Sequence, residues 1–440
     1  MAALITRKRG AKWRLGVFLS LCLILGGTSQ DIVAVKLPLY IVSLVMIALA
    51  LTSKTRAPLA ELCKMPELFL SLLILMYFLY LVPLPPEIWT ELTGRTIVEK
   101  GFASLGAQLP WLPLSLSPEK TLHSTFNFLP LVAISLIFRL QASSTEKVNA
   151  LLALTFTGVF SVIFGILQIT GDEGLYIYEF TNKGRPVGFF SNANHQACFL
   201  AMILPLSLLL CFQPNIILSR GSEESNKCKI FGACAAIIII IGILLTNSLA
   251  GYLFLIITLA PCLLIIFWRH KSSKYAVFFV MLIGGAFVFD FIFFGNHLAE
   301  FVNEFSSEST VSRSEIFRNS LEAQKNYGFF GSGPGSFLDV YFQYENREIM
   351  TRSFAPQAHN DYLQFALELG VGGMFFIGMC FVWSLKRAGT FLSSMHKGSR
   401  FQIVIALALS CPLIHSAIDY PMRTMAISAL FFILLLNLED

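Results

Sequence analysis

Apolar residues run along this chain in long blocks separated by short polar stretches, without the two-residue alternation that marks strands. A bilayer core takes roughly 20 apolar residues per helix. On that length the blocks predict twelve spans, near 14–29, 32–52, 66–82, 122–140, 148–170, 193–212, 230–247, 250–268, 275–295, 362–385, 401–419 and 424–437. Barrel strands would be about ten residues of alternating polarity, so the run lengths exclude a closed barrel. The expected fold is an all-α polytopic membrane protein, with residues 1–440 forming a single integral membrane domain.

Composition agrees, because a chain that is 55% hydrophobic and only 13% charged has too little polar surface for a soluble fold of this length. Charge placement then sets the expected orientation, since loops kept in the cytoplasm carry the excess of Lys and Arg. Counting from a basic N-terminus (Arg7, Lys8, Arg9, Lys12, Arg14), every second loop is basic. These segments hold 20 of the 32 basic residues, against 11 on the other side and Lys36 within a span. Both termini are therefore expected in the cytoplasm. The net charge of +5 follows from that bias and calls for no nucleic-acid partner. The first apolar run lacks a small-residue cleavage site and flows into the second, so no cleavable signal peptide is expected. All nine cysteines fall in spans or cytoplasmic loops, with no C-x-x-C and no Cys/His cluster, which predicts neither a disulfide framework nor a metal site.

The remaining segments are outside: a first loop at 83–121, a middle loop at 171–192 and a large loop at 296–361 between spans nine and ten. Within the last, Ser312-Arg313-Ser314-Glu315 has the form of a capping box. It predicts a helix over 313–326 with Ile316, Phe317 and Leu321 as its apolar face and Tyr327-Gly328 as its end. Arg313 in the first turn opposes the helix dipole by a few tenths of a kcal/mol. It reads either as a solvated loop residue or, with nearby N–H groups, as a phosphate ligand. Gly331-Ser332-Gly333-Pro334-Gly335 lacks the flanking strand, helix and Gly-Lys-Ser ending of a nucleotide loop. It predicts a tight turn folding the loop back onto the membrane domain.

Two polar clusters stand at membrane boundaries. Arg352 leads into His359, Asn360, Asp361 and Tyr362 at the start of span ten, with Glu368 inside that span. A His there accepts a proton near neutral pH, and a carboxylate in an apolar span is costly enough to be a functional candidate, or else bonds to a neighbouring helix. Lys183, Arg185, Asn192 and Asn194 lead into span six. Lys183 reads as a snorkelling anchor, whereas amides at a helix start need partners when buried.

Together, Arg185-Pro-Val-Gly-Phe-Phe-Ser-Asn192-Ala-Asn194, then Ser312-Arg313, then Tyr327-Gly-Phe-Phe-Gly331-Ser-Gly333-Pro-Gly335, and finally His359-Asn360-Asp361-Tyr362 through Glu368-Leu-Gly370-Val-Gly372 resemble the O-antigen ligase and polymerase superfamily. Pro83-Leu84-Pro85-Pro86 through Thr121 also resembles that family's first long periplasmic segment. The resemblance implies a GT-C-like glycosyltransferase architecture with short helices in the large periplasmic loop. It implies transfer of a glycan from undecaprenyl diphosphate to an acceptor hydroxyl at the periplasmic face of the bacterial inner membrane, without metal or other cofactor. The acceptor would be lipid A core or another glycan, in contact with membrane lipids. Arg313 and His359 are the catalytic candidates it implies, His359 as general base or phosphate ligand. Arg185, Arg352, Lys183, Asn192, Asn194, Asn360, Asp361 and Glu368 are the candidates for binding diphosphate or glycan. One position departs from the pattern: Thr246-Asn247-Ser248-Leu249 carries Leu249 where ligases often have an Arg. Either Arg185 or another cation such as Lys183 substitutes for it, or the chain belongs to a polymerase or other branch. A protein O-oligosaccharyltransferase shares the topology, and a transporter or lipid flippase shares the span count; a transporter would place polar groups at mid-membrane in repeated halves, and no repeat is evident.

Overall fold

The apolar blocks fold as helices, and the sole strand pairing among the described residues is a two-residue antiparallel ribbon, β1 (Pro83–Leu84) with β2 (Leu112–Pro113). The computed structural model describes residues 13–30, 33–53, 57–171, 173–214, 222–267, 313–345, 356–394 and 400–439. The expected ninth span at 275–295, the Ser312 cap and Arg352 lie outside the described residues.

In chain order the helices are α1 (Arg14–Leu25), α2 (Val33–Thr52), α3 (Met65–Leu79), α4 (Pro86–Trp89), α5 (Thr96–Ser104), α6 (Pro118–Phe126), α7 (Leu129–Leu140) and α8 (Ser144–Thr170). They continue with α9 (Ala193–Phe212), α10 (Ser222–Leu245), α11 (Leu249–Phe267), α12 (Arg313–Tyr327), α13 (Phe337–Tyr341), α14 (Asp361–Ser394), α15 (Arg400–His415) and α16 (Met425–Glu439). Among the described residues, 6 helices are long and apolar enough to cross a membrane, and α1, α3, α11, α15 and α16 provide shorter apolar ones. That is the construction of a multi-pass, all-α membrane protein.

α9 is the axis of the bundle. It is apolar on every side and almost wholly buried, which fits a helix surrounded by others. α8, α10, α11 and α15 pack around it. One buried ion pair and one partly exposed pair tie helices together elsewhere in the bundle. Glu67 at the start of α3 meets Arg139 at the end of α7 at 2.6 Å, with both side chains at most 5% exposed. Glu146 of α8 takes the Leu15 N–H and faces Arg14 at the start of α1.

α12 forms where the pattern predicts it, but its buried face differs. Ile316 is buried as expected, yet Phe317 and Leu321 are exposed, and the face turned inward is Ile316, Asn319, Ser320, Ala323 and Tyr327. Small and amide side chains let α12 approach closely a satellite core that includes Phe337, Val340 and Tyr341 of α13 and Leu367 of α14.

α14 is broken at Gly370, whose φ of 58° and ψ of −145° interrupt the helix. A Cβ there would stand 2.3 Å from the Phe329 carbonyl oxygen, so glycine is required both by conformation and by close approach. The break frees backbone groups, and the glycine-rich turn takes them. Ser332 N–H donates to the Leu367 carbonyl, Gly333 N–H to the Glu368 carbonyl, and Val371 N–H to the Phe329 carbonyl, at 2.9–3.0 Å. The other side of that turn grips the first loop, through Leu116 N–H to the Ser332 carbonyl and Thr121 Oγ1 to the Pro334 carbonyl. The 331–335 stretch is thus a strap binding the large loop to the broken helix, in keeping with the tight turn expected from sequence.

Candidate active site

Three chain segments converge at one end of α9. The first is the middle loop and the start of α9 itself. Gln168 of α8 accepts from the Val187 and Gly188 N–H groups and donates to the Gly188 carbonyl, so the 186–189 backbone is fixed on the bundle. Asn192 then caps α9, its side chain accepting from Asn194 N–H at 2.8 Å, as a short polar N-cap should. Asn194 accepts from Ser248 Oγ at 2.7 Å and turns its amide N–H toward Asp419 at 3.4 Å. Arg185 reaches over this edge and donates to the carbonyls of Thr246 and Asn247. Its guanidinium therefore rests on the very turn where Leu249 departs from the ligase pattern.

The second segment is the start of α14. His359 has a φ of 50°, in the left-handed region that costs a non-glycine residue about 1–3 kcal/mol. Its neighbours hold it there. Ala358 N–H donates to Gln364 Oε1 at 2.9 Å, Asp361 N–H to the Ser416 carbonyl at 2.8 Å, and the Asn360 amide to the Ala417 carbonyl at 2.9 Å. Strain maintained by so many bonds marks a side chain whose direction matters.

The third segment, the turn between α15 and α16, supplies what the sequence reading missed. Asp419, 1% exposed, faces three imidazoles: His359 Nδ1 at 3.5 Å, His415 Nε2 at 3.5 Å and His195 Nε2 at 3.7 Å. These separations exceed a normal hydrogen bond, so the contact is electrostatic first. Burial alone would raise the Asp419 carboxyl, but the three imidazoles lower it, and the balance leaves it well below the usual carboxylate range. Tyr420 stands edge-on to both His359 and His195, with ring centroids 4.8 and 5.1 Å away. Burial, with the Asp419 charge beside it, pushes the Tyr420 phenol up, so it is a neutral group bonded to Asn192. The half-buried Arg313 guanidinium lies within electrostatic reach of Tyr420 and His415. Among the described residues, no group of three or more His, Cys, Asp or Glu is arranged to hold a metal ion. His195 Nδ1 and Nε2, His359 Nδ1 and His415 Nδ1 are buried without a hydrogen-bond partner, and Asp419 is the carboxylate that all three imidazoles face.

Beside this cluster, Arg423 ties the turn to α14. Its Nη1 meets Glu368 at 2.9 Å and its Nε stands 3.4 Å from Asp361. Burial works against the Arg423 charge, but Glu368, with Tyr77 and Asp361, raises its pKa. Asp361 also accepts from Ser416 Oγ and the Met422 N–H. Glu368 and Asp361 are thus committed to one cation, which fixes the angle at which α14 presents His359 and the turn presents Asp419.

Of the residues singled out from sequence, the structure gathers Arg185, Asn192, Asn194, Arg313, His359, Asn360, Asp361 and Glu368 around this end of the bundle. Lys183 stands apart, exposed and paired with Glu173 at 2.8 Å. The missed residues are His415, Asp419, Tyr420 and Arg423; His195 stood in the polar cluster entering span six but carried no assigned role. A signal was present: His415 and Asp419 are ionisable groups four apart at the end of an apolar run, and such residues are functional candidates by default.

The chain has no match among curated proteins. Residues 234–378 match the family model described as O-antigen ligase, a stretch that carries the Leu249 turn, Arg313 and His359. With the motif order seen across 185–375, that match makes this part of the chain similar to the O-antigen ligase and polymerase superfamily.

Proposed function

We propose that this protein transfers a glycan from an undecaprenyl-diphosphate-linked donor to an acceptor hydroxyl, on lipid A core or on another glycan chain, at the periplasmic face of the bacterial inner membrane. The observation that carries this reading is His359, held in a strained conformation against Asp419 with Arg313 within reach. With Nδ1 turned to the carboxylate, the tautomer protonated at Nδ1 is favoured and Nε2 is left as a proton acceptor. The acceptor oxygen forms its bond to the sugar C1 as its proton passes to Nε2. The C1–O bond to the diphosphate breaks, and undecaprenyl diphosphate leaves with the electron pair. Asp419 stabilises the cationic ring formed at His359, much as the buried carboxylate does in a hydrolase triad.

Negative charge grows on the departing diphosphate, and donors fixed in place stabilise it best where water is excluded. Arg313 is the first candidate for that role and Arg185 the second. Each charge-assisted bond is worth about 1.5–3 kcal/mol. Arg185 already covers the turn at Leu249, so a cation is present there although the pattern residue is not. The reaction written this way draws on protein groups alone. The basic residues concentrated in alternate loops support cytoplasmic termini and a periplasmic site.

The test is deletion of the gene and complementation with wild type, Arg313→Ala or His359→Ala, followed by analysis of surface polysaccharide, lipid-linked intermediates and glycoproteins. Long chains stranded on undecaprenyl diphosphate identify a ligase. Loss of long chains identifies a polymerase, and loss of glycan from proteins alone identifies a protein O-oligosaccharyltransferase. Full activity of both variants would remove the proposed site.

A further inference from the structure

Away from the imidazole cluster, a cavity of about 210 Å³ lies between the first loop and α12. Thr93, Arg95, Lys325, Asn326 and Tyr327 line it, with the Phe329–Gly331 backbone as its floor. Its shape is fixed from both sides. Gly94, with a φ of 81°, lies against the Tyr327 ring, where a Cβ would approach within 2.2 Å. Gly331 begins the strap that closes the break in α14, and Tyr80 donates to the Phe330 carbonyl.

Arg95 is the informative residue. It is 3% exposed, and its Nη2 donates to the Pro113 and Leu114 carbonyls, which hold the guanidinium plane in place. Among the described residues nothing pairs with its Nε or Nη1, and no carboxylate stands within ion-pair distance. A buried charge without a counter-ion is costly. Burial accordingly lowers the Arg95 pKa, with the neighbouring Tyr327 opposing that shift. The second cation at the cavity, Lys325, is exposed and paired with Glu322 on its own helix. The wall thus offers a fixed guanidinium with N–H donors to spare at Nε and Nη1, an ammonium at the rim, the Tyr327 ring and the Asn326 side chain. A held guanidinium with unpaired donors suits an anionic oxygen, as on a carboxylate or phosphate, through single charge-assisted hydrogen bonds.

We infer that this cavity is a glycan subsite, separate from the reaction centre, which takes one sugar unit bearing a carboxylate or phosphate and binds it through the unpaired N–H donors of Arg95. The inference rests on the glycan-transfer reading for the identity of the ligand. Gly331 in the cavity wall stands against the Glu368 carbonyl and the Gly370 amide, so the subsite borders the break in the helix that follows His359. The subsite would let the enzyme hold an acidic glycan by a unit that does not react.

Full-length protein in nanodiscs tests this by equilibrium binding of D-glucuronate and glucose 6-phosphate, with glucose and glycerol 3-phosphate as controls. Both acidic sugars are expected to saturate the wild type, and both controls to bind at least about tenfold more weakly, a difference of about 1.4 kcal/mol. Because Arg95→Met removes bonds that the first loop uses, Thr93→Trp and Lys325→Glu, at exposed positions, serve as the second and third variants. Each should weaken the acidic sugars about tenfold or more while leaving the unfolding temperature unchanged. His359→Ala should bind them as the wild type does, so loss of transfer and loss of this subsite read out separately. Unchanged binding in Thr93→Trp and Lys325→Glu would overturn the assignment, as would glycerol 3-phosphate binding as tightly as glucose 6-phosphate, which would mark a lipid-headgroup site instead.

Discussion

Replacing Asp419 with Asn keeps the shape of the side chain and removes its charge, which isolates what the carboxylate does for His359. The two groups stand 3.5 Å apart, with the Asp419 side chain 1% and the His359 side chain 18% exposed. Two unit charges at that distance attract by about 1 kcal/mol with the screening of bulk water, and by about 5 kcal/mol at an effective dielectric near 20. Each 1.36 kcal/mol is about tenfold in rate, so the limits correspond to roughly tenfold and a few thousandfold. A site buried on one side and open on the other falls between them, and a loss of about a hundredfold in kcat is expected. The KM for the lipid-linked donor should change little, because the imidazolium exists only once the proton has moved. The assay is initial-rate transfer by purified protein in nanodiscs, with the unfolding temperature measured alongside. A kcat within about threefold of wild type, in a preparation where His359→Ala is inactive, would refute the role given to Asp419.

Arg423→Met leaves Glu368 and Asp361 buried without their cation, and should destabilise the protein by about 3–5 kcal/mol in denaturant titration, with Glu368→Gln in the same chain restoring part of the loss. Additivity of the two substitutions within about 0.5 kcal/mol would mean that the residues do not interact. Gly370→Ala places a Cβ 2.3 Å from the Phe329 carbonyl at a φ of 58°, and should lower both folded yield and transfer, while Gly378→Ala, with open space around it, should be silent in both. Burial pushes the Tyr178 hydroxyl up to about 12, and its oxygen accepts from the Gly27 N–H. A phenol raised on folding stabilises fully below its unfolded value near pH 10 and loses that contribution as pH rises toward about 12, so Tyr178→Phe should flatten the alkaline fall in stability over that window.

What the sequence disclosed and what it hid follow from the range over which each feature is encoded. α12 was legible because its end signals are local, and it spans Arg313–Tyr327 against an expected 313–326. Its inward face was not, because the apolar Phe317 and Leu321 stay exposed while Asn319, Ser320 and Ala323 turn inward with Ile316 and Tyr327. The polar segments leading into α9 and α14 were legible as clusters of amides and imidazoles at the ends of apolar runs. Their common partner was hidden inside a block that hydropathy assigned to the membrane, for α15 ends at His415 and Asp419 belongs to the turn beyond it. Hydropathy averages over a window, so one carboxylate at the edge of a long apolar run does not register. Glu368 shows the complementary limit. Its cost in an apolar helix was visible from sequence, but its partner Arg423 lies 55 positions away. A costly charge can announce either chemistry or a structural pair, and here the pair answers for Glu368. No such cation neutralises Asp419 within ion-pair distance among the described residues, where its partners are three imidazoles. That contrast, a carboxylate matched by a permanent cation beside one matched by groups that gain and lose protons, is the reason to assign proton handling to Asp419 and architecture to Glu368.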